Sequence, residues 1–397
     1  WVYYVAALMI DGYFKPMDQV RQDFQHAYKS AMAVGDVELS VLSQNGSLYS
    51  SFFGGRPLAE VIPAVRFLLE HVKMYKIEAR RTLVTELTNT IQYMRGTLQL
   101  DLEALLDADK CDHSDPYDRT LAYWCRLHIA VYFGEFEHAE TMDHLLMTNG
   151  TDDGSFDSFT SVAILSGIMA SHRYRQSKKR KYLKILRQRK RQLKYICDNR
   201  GKCALHRYLI LCAESKAIKV GSTKPALVES CYDDAINQAR QGDHLHEAGL
   251  ACELAGKQIL RSGNQDDPRL RSYFTEALCF YERWGSIPKC KMFREAYGDY
   301  IDENRVREMK MDNSLVDQFT SQGFPHGDHG HSSINQDLTS ERTPSNAPVH
   351  YVSDVASMGK AGDSRTVTSS KDGKMGSRGD MESARDHSGL ISTDTYL

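Results

Sequence analysis

The sequence lacks the short motifs by which many enzymes and metal sites are recognised. Among its 397 residues there is no GxxxxGK[ST] phosphate loop, no GxSxG nucleophile turn, no HExxH pair and no CxxC pair. These absences exclude a Walker-type ATPase module from this chain. They also leave no side chain with a motif that points to catalysis or metal binding. We therefore predict no catalytic residue, no metal ligand and no cofactor-binding residue.

Long hydrophobic runs are scarce as well. The apolar start of the chain, WVYYVAALMI, is ten residues long and ends at Asp11, whereas a membrane-spanning helix needs about 20 residues. No basic segment precedes this stretch, so a signal peptide is a poor fit. We expect a core helix here and no transmembrane segment. Because the chain begins with Trp1, we expect a fragment or processed product whose upstream neighbour is missing.

The cysteines indicate the redox environment of the chain, and the overall charge indicates which partners it would attract. Several of the nine cysteines lie on otherwise apolar helical faces, as buried free thiols do. This pattern favours a reducing, cytoplasmic environment. The 50 Lys and Arg residues nearly balance the 52 Asp and Glu residues, so the net charge is only -2. The chain as a whole therefore has no strong field that would attract nucleic acid.

Positive charge is concentrated in residues 172–194, which contain twelve Lys or Arg residues and no carboxylate. Leu183, Leu186 and Leu193 recur there at helical spacing, so we expect one packed face and a solvated basic face. The basic face could contact a protein domain or an anionic surface. Nucleic acid is the weaker alternative because aromatic stacking residues are sparse. The candidate contact residues are Lys178, Lys179, Arg180, Lys181, Lys184, Arg187, Arg191 and Lys194.

Small residues recur at an interval of nine in three segments. A small residue lets antiparallel helices approach closely, glycine ends the first helix with positive φ, and the acidic residue after it caps the second. Each segment therefore predicts a helix–turn–helix unit. The small pairs are Ala31 and Ser40, Ala130 and Ala139, and Ala239 and Ala248, with Gly35-Asp36, Gly134-Glu135 and Gly242-Asp243 between them; the third glycine is displaced by one position.

These units predict an all-α fold, a TPR-like α-solenoid of stacked antiparallel helix pairs. Asp115-Pro116 and Asp267-Pro268 are typical of helix starts. We place the helical-repeat domain at residues 1–305 and a Ser/Thr/Gly-rich tail at 306–397. Ser and Thr make up 22 of the last 85 residues, 313–397, and large apolar residues there have no period. We therefore expect the tail to be disordered.

Two stretches are more specific than a generic tetratricopeptide: CYDDAINQARQGDHLHEAGLACELAGKQIL and YFTEALCFYERWGSIPKCKMFREAY. They resemble the helical-repeat region that follows the ATPase module in large multidomain AAA or STAND-type "predicted ATPase" signalling proteins. That resemblance implies a structural role for the matching residues and places ATP in a missing upstream module. The matching residues are Tyr232, Asp233, Ala239, Glu247, Ala248, Glu253, Tyr281, Trp284 and Gly285.

The preferred functional hypothesis is a non-catalytic scaffold whose partners are other protein domains, in cis or in trans. One alternative is a portion of an ATP-dependent signalling enzyme, an ATPase, kinase or cyclase whose catalytic modules lie outside this chain. A second alternative is a basic-helix binder of nucleic acid or of an anionic surface. We interpret Trp284 as packing over a helix end, with Gly285 as the stop of that helix.

Overall fold

A computed structural model describes residues 1–77, 81–111, 115–149, 155–199, 201–220 and 223–310. Within these ranges the regular elements are helices, so the predicted all-α class is confirmed for the described part of the chain. No helix in these ranges is long and apolar enough to cross a membrane. Most of the predicted tail, 311–397, lies outside the described residues.

The helices follow one another with short connections. In chain order they are α1 (Val2–Met9), α2 (Met17–Ala33), α3 (Val37–Phe53), α4 (Leu58–Met74), α5 (Arg81–Arg95), α6 (Leu102–Leu106), α7 (Pro116–Phe133), α8 (Phe136–Asn149), α9 (Phe156–Ser177), α10 (Arg180–Asn199), α11 (Leu205–Val220), α12 (Pro225–Gln241), α13 (Leu245–Arg261), α14 (Pro268–Trp284) and α15 (Ile287–Tyr297). Residues 303–310 are also helical. This last segment runs past residue 305, and Val306 within it is buried.

The Asp-Pro dipeptides start helices, as predicted. The Asp115 side chain accepts a hydrogen bond from the Tyr117 amide at 2.7 Å, and α7 begins at the following proline. Asp267 accepts from the Arg269 amide at 2.9 Å in the same way, at the start of α14. A capping carboxylate satisfies an amide that has no partner within the helix, and proline needs none.

The three predicted units share one turn geometry. In each, the amide five residues after the first small residue donates to that residue's carbonyl, which closes the helix end. All six small residues are at most 2% exposed. Close helix approach is therefore confirmed at all three pairs. The closing bonds run from Asp36 to Ala31 at 2.9 Å, from Glu135 to Ala130 at 2.8 Å and from His244 to Ala239 at 3.0 Å.

The third unit differs from the sequence expectation at one position. Gly35 and Gly134 have φ values of +75° and +83°, as a helix-ending glycine should. In the third unit the equivalent residue is Asp243, with φ +55°, whereas Gly242 has φ −92°. Aspartate tolerates the left-handed region better than most residues. The displaced glycine therefore leaves the turn geometry unchanged, and Asp243 takes the left-handed position.

Sequence neighbours form the main helix pairs, but some contacts connect distant parts of the chain. The closest pairs include α2 with α3, α7 with α8, α9 with α10, α11 with α12, and α13 with α14. In addition, α15 packs against α5 and α7. Arg95 Nη1 donates to the Gly285 carbonyl at 3.0 Å across 190 residues of sequence. The array therefore folds back on itself, which a strictly linear stack would not do.

The core where the distant helices meet is aromatic. Trp284 is fully buried, with its ring near the rings of Phe52, Tyr132 and His246. Gly285 follows with φ +90° and ends α14. Trp284 thus packs inside the molecule at the end of its helix and is inaccessible to a partner protein.

We predict that Gly134→Ala lowers the free energy of unfolding by about 1–2 kcal/mol. An added Cβ at Gly134 would meet no atom within 4 Å, so the cost comes from the left-handed backbone alone. Gly298→Ala is the matched control, because Gly298 also has open space but lies at φ −53°. We expect it to be neutral or stabilising by up to about 1 kcal/mol. Urea unfolding followed by circular dichroism measures both, and equal losses would contradict the assigned turn.

Candidate functional site

Two helices hold the end of α3. Gly55 has φ +84° just after this helix, and the carbonyls of Phe53 and Gly54 lie beyond its regular hydrogen bonding. Arg207 Nη2, on α11, donates to the Phe53 carbonyl at 2.9 Å. His244 Nδ1, which immediately precedes α13, donates to the Gly54 carbonyl at 3.0 Å. The end of an early helix is therefore bound by side chains that follow it by more than 150 residues.

Glu247 connects these two anchoring helices. Its Oε1 accepts from Arg207 Nε at 2.7 Å, and its Oε2 accepts from His206 Nε2 at 2.5 Å. Arg207 Nη1 also donates to the Thr160 hydroxyl on α9. Burial would raise the pKa of Glu247, but Arg207 and His206 outweigh burial and hold this pKa well below its usual value. Glu247 is therefore an ionised, fully buried carboxylate.

The hydrogen bonds fix the proton positions on two stacked imidazoles. The His206 and His244 rings lie 3.9 Å apart with an angle of 15° between them. A carbonyl only accepts, so His244 carries its proton on Nδ1; likewise His206 carries its proton on Nε2, facing ionised Glu247. Burial is the largest cause that lowers the pKa of both rings. Both imidazoles are therefore neutral, and each keeps one unprotonated nitrogen.

His206, His244 and Glu247 form a group of metal-type donors, each with a ligand atom within 4.8 Å of the others. The geometry fits an internal network better than a metal ion. Both oxygens of Glu247 already have partners, and the two stacked rings confine their in-plane lone pairs to nearly parallel planes about 3.9 Å apart. A buried divalent cation would also lie close to the Arg207 guanidinium, which adds repulsion. We therefore interpret these three residues as a structural hydrogen-bond network that joins helices, and not as a metal site.

A cleft of about 520 Å³ opens beside this network. It lies between the start of α2, the α3–α4 connection, the start of α11 and the α12–α13 turn. His206 and His244 line it together with charged side chains from all four segments. The charged residues in the lining are Asp18, Arg21, Arg56, Lys202 and Asp243.

A second buried network joins α13 to the last helices. Glu253 accepts hydrogen bonds from Tyr281 at 2.6 Å and Lys257 at 2.5 Å, and Lys289 Nζ lies 2.8 Å from it. Lys289 also donates to the Tyr132 carbonyl at 2.5 Å. Burial lowers the pKa of Lys289 to about 8, against the opposing effect of Glu253. Lysine, tyrosine and glutamate thus satisfy one another in the interior.

Seven of the nine residues predicted to match a repeat family lie in the interior, whereas Asp233 is exposed and Gly285 is half-buried. Tyr232 donates to Glu214 at 2.5 Å, and Asp233 accepts from the Tyr273 hydroxyl at 2.6 Å. Glu247 and Glu253 lie at the centres of the two networks described above. None of these contacts creates a surface for a partner. The buried members of the set are Tyr232, Ala239, Glu247, Ala248, Glu253, Tyr281 and Trp284.

All eight candidate contact residues of the basic segment are exposed. Lys181 pairs with Glu140 at 2.7 Å and Lys194 with Asp198 at 2.5 Å. The other six have no carboxylate partner within the described ranges. The packed face differs in part from the prediction, because Leu183 is only half-buried and Arg189 is buried, 3.3 Å from Asp143 on α8. The face buried by α10 consists of Tyr182, Leu186, Arg189, Leu193 and Ile196.

Comparisons with protein-family models, with curated proteins and with solved structures found no match to this chain. The resemblance to the helical repeats of ATPase-type signalling proteins therefore stays a prediction.

Sequence reasoning missed Arg207, His206 and the anchoring role of His244. The partners of Arg207 are separated from it by 40 to 154 residues, so no local spacing reveals them. One available signal was the adjacent pair His206-Arg207 directly before the apolar stretch 208–213 of α11, because a charged side chain on a buried face needs a counter-charge. The sequence did not indicate which carboxylate supplies it.

We predict that acid destabilises the fold through the buried histidines. Burial is the main cause that lowers the pKa of His246 to about 4, so the unfolded chain binds a proton that the folded chain does not. Stability from this residue is present above pH 6.5 and is lost as the pH falls towards 4. In His246→Gln, the slope of unfolding free energy against pH should fall by about 1.2 kcal/mol per unit between pH 6 and 5.

The control is His144→Gln, since His144 is exposed on α8. Urea titrations at pH 7, 6 and 5 give the slopes. The same slope in the wild-type chain and in His246→Gln would show that His246 is protonated equally in both states.

Proposed function

We propose that this chain is a non-catalytic, TPR-like helical-repeat scaffold that regulates through protein contacts within a multidomain ATPase-type signalling protein. The observation that carries this proposal is the turn geometry shared by the three units, with its closing hydrogen bond and its buried small residues. Repeated helix pairs of this kind build extended surfaces from local contacts. The contact between α5 and α15 makes this solenoid more closed than a linear one.

The surface best suited to a partner is the exposed face of α10. Five cations follow one another there at intervals of three or four residues and so form a row about 21 Å long. The row consists of Arg180, Lys184, Arg187, Arg191 and Lys194. Four of these five have no carboxylate partner among the residues described. An acidic row on a partner could pair with these four cations without breaking ion pairs within this chain.

The partner we favour is an acidic protein domain, in cis or in trans, in a cytoplasmic setting. The apolar side of α10 is packed against its neighbours, so this helix offers charge and no apolar face for membrane insertion. Tyr195 is an exposed aromatic side chain at the end of the row. A single ring provides little base stacking, which makes nucleic acid the weaker alternative.

The enzymatic alternative makes a separate prediction. A portion of an ATP-dependent enzyme that contributes to nucleotide turnover would hydrolyse Mg-ATP above the buffer rate. We expect no hydrolysis by this chain, because it contains no phosphate loop. Turnover that survives purification to constant specific activity would favour the alternative.

The test of the scaffold proposal reverses the charge of the row on α10. Proximity labelling in cells compares the wild-type chain with the variant Arg180→Glu, Lys184→Glu, Arg187→Glu and Arg191→Glu. We expect a defined set of proteins with acidic surfaces to lose labelling by at least about tenfold, since several charge pairs become repulsive. Circular dichroism should show unchanged helicity because these residues are exposed.

The matched control reverses four exposed cations elsewhere: Arg66→Glu, Lys73→Glu, Arg283→Glu and Lys291→Glu. It changes the net charge by the same amount and should retain the labelled set. Identical labelling by both variants would contradict the proposed contact face. A difference between variants that disappears after nuclease treatment would favour nucleic acid.

A further inference from the structure

The cleft beside His206 and His244 carries an unbalanced set of charges. Arg21 and Arg56 both contact the same carboxylate, Asp18, which is itself well exposed. Lys202, also in the lining, has no carboxylate partner among the described residues. Arg56 also pairs with Glu60 at 3.3 Å, so the two guanidinium groups have two exposed carboxylates between them, and the lining still contains three cations against Asp18 and Asp243. An anion in the cleft would relieve this repulsion.

Arg21 carries most of the local electrostatic strain. Its side chain is 13% exposed, and its pKa falls to about 10, first because of burial and then because of the Arg56 guanidinium, against the smaller opposing effects of Asp157 and Glu60. The group is still protonated at neutral pH. A buried cation whose charge is disfavoured by a second cation gains from any anion that enters. Guanidinium groups are well suited to oxyanions because they donate two parallel hydrogen bonds.

Two long helices begin at the cleft without a side-chain cap. The first is α2, which follows Pro16, and the second is α13, which follows His244; each has 17 residues. Their first amides carry partial positive charge. Each helix has one carboxylate in its first turn, Asp18 in α2 and Glu247 in α13, and both carboxylates already pair with arginines. Both starts lie in the lining. They add to the positive potential that the arginines create.

His244 supplies an independent sign of a ligand. It is 8% exposed and lines the cleft, and its Nε2 has no hydrogen-bond partner in the described part of the chain. Because Nδ1 donates to the Gly54 carbonyl, Nε2 is an acceptor that is left for a molecule in the cleft. An acceptor beside two arginines selects an oxyanion that keeps a proton of its own. A fully deprotonated anion would repel this lone pair.

We propose that this cleft binds a phosphate group, either inorganic phosphate or a phosphate monoester. Arg21, Arg56 and Lys202 pair with its charged oxygens, the start of α13 faces it, and His244 Nε2 accepts from its P–OH. Phosphate near neutral pH retains such a proton, whereas sulfate and carboxylates do not. The site is independent of the basic face of α10, so either proposal can fail without the other.

The experiment is calorimetric titration of the 397-residue chain with inorganic phosphate and, separately, with sulfate at pH 6.5. We expect saturable phosphate binding and about tenfold weaker sulfate binding, since sulfate lacks the donor for His244. Absence of phosphate binding, or equal affinity for both anions, would overturn the proposal.

Variants separate charge from hydrogen bonding. Arg56→Gln and Lys202→Gln should each weaken phosphate binding about three- to tenfold, as expected for loss of one partly exposed charged contact. His244→Asn keeps a donor for the Gly54 carbonyl but removes Nε2, and should bring the preference for phosphate over sulfate close to one. Lys291→Gln removes a remote exposed cation and should change neither the affinity for phosphate nor the preference for phosphate over sulfate. Unchanged affinities in both charge variants would contradict the assigned site.

A second titration distinguishes the two sources of phosphate, a phosphorylated protein segment and the free ion. A peptide of residues 362–373, GDSRTVTSSKDG, is titrated with and without phosphate on Ser369. Tighter binding of the phosphopeptide than of inorganic phosphate identifies a phosphorylated protein segment as the source. Binding of inorganic phosphate alone identifies the free ion. Equal affinity for the peptide with and without phosphate would show that the cleft does not recognise phosphate.

Discussion

The arrangement of the helices depends on one buried guanidinium, that of Arg207. Removal of this cation from water is costly unless each of its donors finds a partner. The partners come from three other helices: Glu247 on α13, Thr160 on α9, and the Phe53 carbonyl at the end of α3. A group that must satisfy partners on three helices at once restricts the relative positions of all of them.

Several other features follow from this restriction. Fixing the end of α3 against α13 places the Gly54 carbonyl where His244 donates to it, and that bond leaves His244 Nε2 unprotonated beside the cleft. It also brings Phe52 next to Trp284 in the aromatic core. The Glu253 and Lys289 network connects α13 to α15 and, through the Tyr132 carbonyl, to α7. The proposed anion site is therefore a consequence of how distant helices are joined.

The sequence predicted the features that depend on local chemistry. Helical periodicity, Asp-Pro starts and the nine-residue spacing of small residues indicated the all-α class and three turns. Asp243 shows the limit of such rules, because the left-handed position is set by the closing bond to Ala239 and not by the glycine beside it. Arg189 shows another limit. It lies on the buried face of α10 between Leu186 and Leu193, and its counter-charge Asp143 lies on a different helix.

The central polar network was beyond prediction because its members are far apart in sequence. His206 and Glu247 are 41 residues apart, and the Phe53 carbonyl belongs to the backbone, which has no sequence signature. Periodicity identifies a buried face but does not tell which distant helix covers it. The contact of α5 with α15 has the same origin, since the hydrogen bond beside it joins Arg95 and Gly285, which are 190 residues apart.

The most direct test is a double-mutant cycle on Arg207 and Glu247, measured by urea unfolding at pH 7 with Arg207→Met, Glu247→Gln and the double variant. Each single change leaves one buried polar or charged group without its partner and should cost about 3–5 kcal/mol. The double variant should cost at least about 1.5 kcal/mol less than the sum of the two. Small single losses that simply add would contradict the view that this pair holds the helices together.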